Sequence, residues 1–282
     1  MYLYPNRIGV GIIGLGLIGG SIGLSLKKNR LVDKIIGFGR NKERLEEAKK
    51  LGVIDKIGED FADLAEVDIV FLATPVLKII EIGKEVSKFI KEAIVSDAGS
   101  TKTLIVKELS PLIPRFVGAH PMAGSHKSGI KFASDSLFSN ACVVLTPNNR
   151  TEKEAKGVIS SLWKGMGAKV VEMSPELHDE LVALSSHIPH ITSNILIELI
   201  SGRKEAQSLI SSGFKDMTRL SLSDPHLWND IFLTNKENII KGLDKMIEVI
   251  TKWKGLINNN QGLLENLEKI NKITKEVFKE RF

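Results

Sequence analysis

Apolar runs alternate with amphipathic segments through the first half of the chain. The runs at residues 8–13, 34–38, 68–73, 93–96, 116–119, 141–145 and 169–171 have the length and composition of buried strands. Between them, residues 18–29, 41–50, 76–90, 103–112 and 152–166 show helical periodicity. This alternation predicts βαβ units that build one mostly parallel sheet of about seven strands.

The pattern changes at residue 174, after which helical periodicity continues without a convincing strand. Ser174 and Pro175 form a good helix start, with serine as the N-cap and proline in the first turn. We predict helices over residues 176–201, with a kink at Pro189, and over 204–212, 225–234, 236–256 and 263–278. The chain is therefore divided into an α/β domain, residues 1–173, and an all-α domain, residues 174–282.

The helices of the second domain carry more apolar surface than one copy readily hides. Within residues 236–257 the apolar positions form a broad stripe: Ile239, Ile240, Leu243, Met246, Ile247, Ile250, Trp253 and Ile257. We expect helix-on-helix contact between two copies, and therefore a homodimer. A self-contained bundle is the alternative.

A glycine-rich turn follows the first apolar run. Gly14, Gly16 and Gly19 fit the pattern G-x-G-x-x-G between a strand and a helix, which is the order that a dinucleotide site requires. The first glycine permits the tight turn, the second lets the backbone approach a pyrophosphate, and the third lets helix and strand pack closely. The helix start at Leu17 and Ile18 offers N–H groups to the phosphates. We therefore predict a Rossmann-type domain, with a membrane span or signal peptide as the alternative explanation of the uncharged run.

The end of the second predicted strand bears on the choice of dinucleotide. Sites for NAD place an acidic residue there, about 20 positions beyond the glycines, on the ribose hydroxyls. Here Gly39 occupies that position and Arg40 follows it. A guanidinium can hold a 2′-phosphate bidentately, so the sequence favours NADP over NAD. Arg40 stacked on the adenine would tolerate both.

Composition excludes several other classes of protein. The chain has 282 residues, 43% hydrophobic and 26% charged, with a net charge of +5, and its lysines and arginines are scattered among acidic residues. This distribution is typical of solvated helix faces and predicts neither nucleic-acid binding nor membrane association. The single cysteine, Cys142, rules out an intrachain disulfide and suits a cytoplasmic protein.

Four later segments carry candidate chemistry. They are DAGSTK at residues 97–102, GAHPMAGSHKSG at 118–129, SPELHDELVALSSHIPH at 174–190 and GFKDMTRLSLSDPHLW at 213–228. In this order, and together with the glycine turn, they resemble the prephenate/arogenate dehydrogenase family of tyrosine biosynthesis over nearly the whole chain. The likeness is to the monofunctional form, without a chorismate mutase or ACT domain.

The resemblance implies an oxidative decarboxylation with hydride transfer to NADP or NAD. It implies prephenate as substrate, with arogenate as the alternative, because no residue securely distinguishes the keto acid from the amino acid. His120 matches the catalytic base for the ring hydroxyl, and Ser100 matches the serine that hydrogen-bonds and orients this histidine.

The other expected contacts follow from the same likeness. Arg219 matches the residue that binds a substrate carboxylate, with Lys215 as a weaker companion, and His190 and Trp228 match substrate contacts. Ser125 and His126 stand where some relatives carry an acidic residue. The predicted strand ends and the loops after them add candidate cofactor contacts, namely Thr74, Pro75, Asp97 and Ser100.

Some assignments stay open at this point. His178 suits a structural role as well as a catalytic one. His187 and His190 lie three apart, but no third ligand has convincing spacing, so no metal is predicted. Residues 176–201 contain no lysine, which counts against the β-hydroxyacid dehydrogenase and imine reductase group. A non-enzymatic NADP-binding redox sensor would need none of Ser100, His120 and Arg219.

Overall fold

The computed structural model describes residues 8–124, 127, 129–259 and 261–279. The chain forms two compact units, Met1–Lys236 and Glu237–Phe282. The first unit holds the sheets and the helices that follow them, and it contains every candidate site residue named above.

Six parallel strands form the main sheet of the first unit. They are β1 (Gly9–Ile13), β2 (Lys34–Phe38), β3 (Lys56–Ile57), β4 (Ile69–Leu72), β5 (Ile94–Asp97) and β6 (Phe116–Val117), in the order β3-β2-β1-β4-β5-β6. The connecting helices are α1 (Leu17–Lys28), α2 (Lys42–Lys50), α3 (Val76–Val86) and α4 (Thr103–Leu109). This strand order is that of the doubly wound dinucleotide-binding fold, so the predicted Rossmann-type class is confirmed.

The chain leaves this sheet after β6, and here the prediction of one continuous sheet is wrong. Three further strands, β7 (Ala119–Pro121), β8 (Cys142–Leu145) and β9 (Lys169–Glu172), form a separate sheet in which β7 pairs with β8 antiparallel and β8 with β9 parallel. Only Gly118 lies between β6 and β7. The apolar run at 116–119 shows no break because the end of β6 and the start of β7 are both buried. Hydrophobicity alone therefore cannot mark the point where the chain passes from one sheet to the other.

Helix α5 (Lys153–Gly165) fixes the second sheet against the first. Its fully buried Trp163 meets Phe71 of β4 edge-on, with ring centroids 6.0 Å apart, and Phe138 at 5.0 Å. These contacts join the two sheets through one hydrophobic core. They thereby hold β7, and His120 on it, at a defined position.

The helices after residue 174 also differ in part from the prediction. The segment expected as one kinked helix is α6 (Pro175–Val182), a π-helical turn (Ala183–His187) and α7 (Ile188–Ile200). The interruption lies just before Pro189, which cannot donate a helical hydrogen bond. The segment expected at 204–212 ends early, as α8 (Lys204–Ser208), and is followed by α9 (Ser212–Thr218), a 3-10 turn (Arg219–Leu222) and α10 (Pro225–Thr234).

The second unit contains most of α11 (Lys236–Asn259) and all of α12 (Leu263–Phe278). Gly262 makes the turn between them with φ of +70°, and Lys252 Nζ donates to Asn266 Oδ1 over 2.7 Å. Apolar side chains remain exposed on both helices: Ile240, Ile247, Ile250 and Ile257 on the first, and Leu264, Leu267 and Ile270 on the second. In the part of the chain that the structure describes, no helix is both long and apolar enough to span a membrane.

The glycine turn generates a testable prediction about folding. Gly14 has φ of +98°, and a Cβ on Gly19 would lie far inside van der Waals contact of the Gly14 carbonyl oxygen. A Cβ on Gly16 would meet no atom within 4 Å. Because backbone atoms cannot yield, we expect Gly19→Ala to lower the free energy of unfolding by about 3 kcal/mol.

Gly16→Ala is the matched control in the same turn. We expect it to lower the free energy of unfolding by only about 1 kcal/mol, as for alanine at a helix N-cap. Urea denaturation of both variants and the parent measures the difference. Equal losses would show that the close approach at Gly19 does not govern this turn.

Candidate active site

The carboxyl ends of the main-sheet strands bring the candidate cofactor residues to one edge. The glycine turn follows β1, Gly39 and Arg40 follow β2, Thr74 and Pro75 follow β4, and Asp97 ends β5. The Gly14 N–H donates to the Phe38 carbonyl over 3.0 Å, which ties the glycine turn to the end of β2. In folds of this class, ligands bind at this edge.

The geometry of the glycine turn suits a pyrophosphate. The space beside Gly16 is open, and the first turn of α1 carries no acidic residue to repel an anion. Leu17 and Ile18 begin the helix with partly buried side chains, so their N–H groups lie at its positive end. Across the turn, the buried Thr74 Oγ1 has no hydrogen-bond partner among the described residues, which leaves a polar atom for a ligand.

At the end of β2, Gly39 and Arg40 are both exposed. A Cβ on Gly39 would meet only Leu45, at 3.6 Å or more, so packing does not require glycine there. The missing carboxylate is therefore a chemical feature of the site rather than a steric one. Arg40 forms no ion pair with the residues that the structure describes, and its guanidinium is left for a ligand.

A chain of hydrogen bonds leads from His120 into the protein. His120 Nδ1 lies 2.8 Å from Nε2 of the fully buried His178, and His178 Nδ1 lies 2.8 Å from Asp179 Oδ1. The Asp179 carboxylate also accepts the backbone N–H groups of Lys102, over 2.7 Å, and Thr103, over 2.8 Å. We call His120, His178 and Asp179 the histidine chain.

The electrostatics of the histidine chain keep His120 neutral and Asp179 charged. Burial lowers the pKa of His120 well below its ordinary value of 6.5, and the nearby His178, Lys102 and His187 lower it further. Burial alone would raise the pKa of Asp179, but the hydrogen bonds from His178 and from the loop N–H groups outweigh it, and that pKa is lowered. At neutral pH, His120 is thus an uncharged imidazole that two hydrogen bonds, through His178, connect to the Asp179 carboxylate.

Ser100 does not hold His120 in this structure. Its side chain is partly buried in the loop after β5, and no hydrogen bond joins it to His120 among the described residues. The imidazole Nδ1 is instead bonded to His178, because α6 packs against α4 and carries its buried ring to the strand. The expected serine–histidine hydrogen bond is therefore replaced by a histidine–histidine one.

A buried ion pair builds the loop that faces His120. Asp97 and Lys102, both fully buried, form a salt bridge, and Lys102 Nζ also donates to the Ala119 carbonyl over 2.8 Å. The remaining acceptors of Asp97 take the N–H groups of Gly99 and Ala119. Through these bonds Asp97 shapes the loop, and its predicted contact with a cofactor stays a prediction.

His190 and Trp228 form an aromatic wall. Their rings stack with centroids 3.6 Å apart and an interplanar angle of 15°. His190 is buried, burial lowers its pKa, and its Nδ1 has no hydrogen-bond partner in the described part of the chain. His187 meets the same tryptophan edge-on, and its Nδ1 accepts from Asn235 over 3.2 Å. The wall therefore offers one unpartnered imidazole nitrogen.

Arg219 lies at the start of the 3-10 turn and is exposed, as is Lys215 on α9. The turn is fixed to α7 because Ser193 Oγ accepts the Ser221 N–H over 3.1 Å and bonds its hydroxyl at 2.7 Å. Helix α7 also carries His190, so the structure brings the arginine turn and the aromatic wall onto one scaffold. Ser125 and His126 lie outside the described residues.

Comparison with known proteins identifies this arrangement. Residues 22–172 match the family model "Prephenate dehydrogenase, nucleotide-binding domain", and residues 174–273 match "Prephenate dehydrogenase, dimerization domain". The chain belongs to the prephenate dehydrogenase family.

Family relatives match along most of the chain. The prephenate dehydrogenase of Bacillus subtilis (strain 168) is 39% identical over 275 residues, covering 94% of this chain and 74% of that one. The crystal structure of Aquifex aeolicus prephenate dehydrogenase in complex with hydroxyphenyl propionate and NAD+ superposes with a TM-score of 0.92 at 34% identity, over 98% and 100% of the two chains. Synechocystis arogenate dehydrogenase superposes with a TM-score of 0.86 at 33% identity, over 96% and 100%.

The sequence reasoning missed three buried residues that the structure places in hydrogen bonds around the candidate site. Asp179, Lys102 and Asn235 were not singled out, and His178 was left between two roles. The signal for Asp179 was weak, since a carboxylate next to a histidine on a helix usually faces solvent. For Lys102, the spacing of five residues from Asp97 gave no indication that both would be buried.

The buried imidazoles predict a pH-dependent stability. Burial lowers the pKa of His187 from 6.5 to about 4, so the unfolded chain binds a proton more readily than the folded one. The contribution of His187 to stability is therefore fully present above pH 6.5 and decreases as the pH falls from 6.5 towards 4. One pKa unit corresponds to about 1.4 kcal/mol, so His187 alone lowers the free energy of unfolding by about 3 kcal/mol over that interval.

Urea unfolding between pH 8 and pH 4 measures this slope. His187→Gln removes the titrating group but keeps an acceptor for Asn235, and we expect its stability to decline less steeply. The exposed His226 supplies the control, because His226→Gln should keep the parent slope. A His187→Gln slope equal to that of the parent would contradict the linkage.

Proposed function

We propose that the protein is a prephenate dehydrogenase that converts prephenate into 4-hydroxyphenylpyruvate and CO₂, with hydride transfer to NADP or NAD. The observation that carries the proposal is the neutral, part-buried imidazole of His120 beside the carboxyl edge of a dinucleotide-binding sheet. Membership of the prephenate dehydrogenase family supports it.

His120 holds the hydroxyl proton during the reaction. Its Nδ1 is engaged with His178, and Nε2 accepts the proton of the substrate 4-hydroxyl as that carbon becomes a carbonyl. Loss of the ring carboxylate as CO₂ then sends an electron pair into the ring. The ring becomes aromatic, and the phenolate oxygen takes the proton back from His120.

The other side chains bind and align the substrate. The Arg219 guanidinium pairs with a substrate carboxylate, assisted by Lys215, while His190 and Trp228 line the ring and offer the unpartnered Nδ1. We propose that the Ser100 hydroxyl, on the loop after β5, contacts the reacting groups. For Ser125 and His126, substrate contact is proposed from the family likeness alone.

The glycine turn and the loops after β2 and β4 would hold the dinucleotide, through Gly14, Gly16, Leu17, Ile18, Gly19, Gly39, Arg40, Thr74 and Pro75. When bound, the nicotinamide supplies the hydride acceptor. The exposed Arg40 with no carboxylate at Gly39 supports NADP, whereas the Aquifex aeolicus relative was solved with NAD+. We propose NADP as the cofactor, with NAD as the alternative.

We also propose that two copies associate through residues 174–282, next to an α/β domain of residues 1–173. The support is the family description of the second segment and the exposed apolar side chains on its helices, among them Leu199, Leu209 and Leu222. A cytoplasmic location, expected from the single cysteine, stays a prediction.

Arogenate is the second candidate substrate, because Synechocystis arogenate dehydrogenase has the same fold over 96% of this chain. We expect faster turnover with prephenate than with arogenate, and with NADP than with NAD. Initial rates for the two substrates crossed with the two cofactors, followed by nicotinamide absorbance, decide both questions. Absence of turnover in all four combinations would refute the proposed function.

Two substitutions separate the proposed chemical and binding roles. His120→Asn removes the proton acceptor, so we expect kcat to fall roughly 10²- to 10⁴-fold with little change in KM. Arg219→Ala removes a charged hydrogen-bond donor, so we expect KM to rise roughly 10- to 100-fold. His226→Gln is the matched control in the same kinetic assay, and an unchanged KM would remove Arg219 from carboxylate binding.

A further inference from the structure

The histidine chain fixes the direction of its own hydrogen bonds. The ionised Asp179 carboxylate can only accept, and besides the histidine it already takes the N–H groups of Lys102 and Thr103. His178 Nδ1 must therefore carry the proton in its hydrogen bond to Asp179. When His178 is a neutral imidazole protonated at Nδ1, its Nε2 carries a lone pair and accepts.

The same logic continues to His120. Because His178 Nε2 accepts, His120 Nδ1 must donate across the 2.8 Å contact between them. A neutral His120 protonated at Nδ1 is unprotonated at Nε2. Among the described residues no hydrogen bond engages that Nε2, so the nitrogen that remains for a substrate is the one with the free lone pair.

We propose that His178 and Asp179 are positioning residues that hold His120 in the Nδ1–H tautomer, and so make its Nε2 the proton acceptor. The catalytic consequence rests on the proposed function, but the tautomer itself is a property of the free protein. The wrong tautomer, with a proton on Nε2, would present a donor to the substrate hydroxyl and could not take its proton.

The surroundings keep this arrangement in place. Asp179 stays ionised because backbone N–H groups at the start of α4 hold both of its oxygens, and Asn235 Nδ2 donates to its main-chain carbonyl over 2.7 Å. Among the described residues, the charged and titratable groups that act on the histidine chain are Lys102, paired with Asp97, and the buried His187. Lys102 is paired with Asp97 and also attracts Asp179, and Asp179 is the carboxylate that is bonded to the rings.

A purely structural role for His178 predicts a different outcome from the positioning role. A buried ring that only fills space should be replaceable by any side chain of similar volume. His178→Gln keeps an acceptor oxygen near the position of Nε2, whereas His178→Leu keeps volume but provides no acceptor. The positioning role therefore predicts that Gln, and not Leu, preserves the tautomer of His120.

Nitrogen-15 NMR of histidine-labelled protein, without substrate or cofactor, tests the tautomer directly. Long-range proton–nitrogen spectra distinguish protonated from bare imidazole nitrogens, and the His120→Asn spectrum assigns the His120 signals. We expect a protonated Nδ1 and a bare Nε2 in the parent and in His178→Gln, and loss of that preference in His178→Leu. A protonated Nε2 on His120 in the parent protein would overturn the proposal, whether or not the variants fold.

Kinetics then connects the tautomer to catalysis. We expect kcat to fall roughly 10²-fold in His178→Leu, with KM nearly unchanged, and only a few-fold in His178→Gln. His226→Leu is the matched control, being an exposed histidine on α10. Equal loss of kcat in the Gln and Leu variants would overturn the positioning role. If the parent shows the expected tautomer but turns over neither prephenate nor arogenate, the proposed function fails and the tautomer assignment stands.

Discussion

The buried carboxylate of Asp179 is the interaction on which the site depends. It receives three N–H groups, from the Lys102 and Thr103 backbone and from His178, and these come from two different elements of the first unit. Its hydrogen bonds to the Lys102 and Thr103 N–H groups fix the point where the loop after β5 ends and α4 begins. Its hydrogen bond to His178 orients the ring that contacts His120. If the carboxylate were absent, two backbone donors would be buried without partners and His178 would lose its orientation. Helix α6 is thus connected to the sheet edge through the same hydrogen bonds that orient His120.

The second buried charge pair, Asp97 with Lys102, has a different task. Fully buried ion pairs contribute little net stability, since removing both charges from water offsets most of their attraction. What this pair provides is geometry, because its other hydrogen bonds run to the Gly99 N–H and to the N–H and the carbonyl of Ala119, directly before His120. Main-chain bonds on one side of His120 and a side-chain bond to His178 on the other leave its ring few orientations. The Asp97–Lys102 pair and the histidine chain, both of which involve Lys102, thus fix the position of His120.

The sequence predicted the parts of this structure that depend on local pattern. The glycine turn, the parallel strands of the main sheet and the helix starts at Ser174 and Pro225 each depend on a few neighbouring residues, and the structure has them. The division into two sheets was missed because a buried strand has the same composition whichever strand it pairs with. The His120–His178 bond was missed because it joins positions 58 residues apart, and only the packing of α6 on α4 brings them together. The roles proposed for Arg219, Lys215 and Trp228 rest on family likeness, since their local sequence alone resembles an ordinary helix surface.

The low pKa of His120 fits the particular reaction proposed here. A base that had to keep its proton until solvent removed it would benefit from a pKa near the working pH. In this reaction the proton is held only between formation of the carbonyl and formation of the phenol, which takes it back. A buried imidazole near the positive Lys102 is a poor permanent acceptor, so it returns the proton readily. During that interval, two hydrogen bonds connect the protonated His120 ring to the Asp179 carboxylate through His178. The negative carboxylate stabilises the charged ring and does not have to take up the proton itself. The histidine chain thus supports a base that receives a proton briefly and gives it back to the same oxygen.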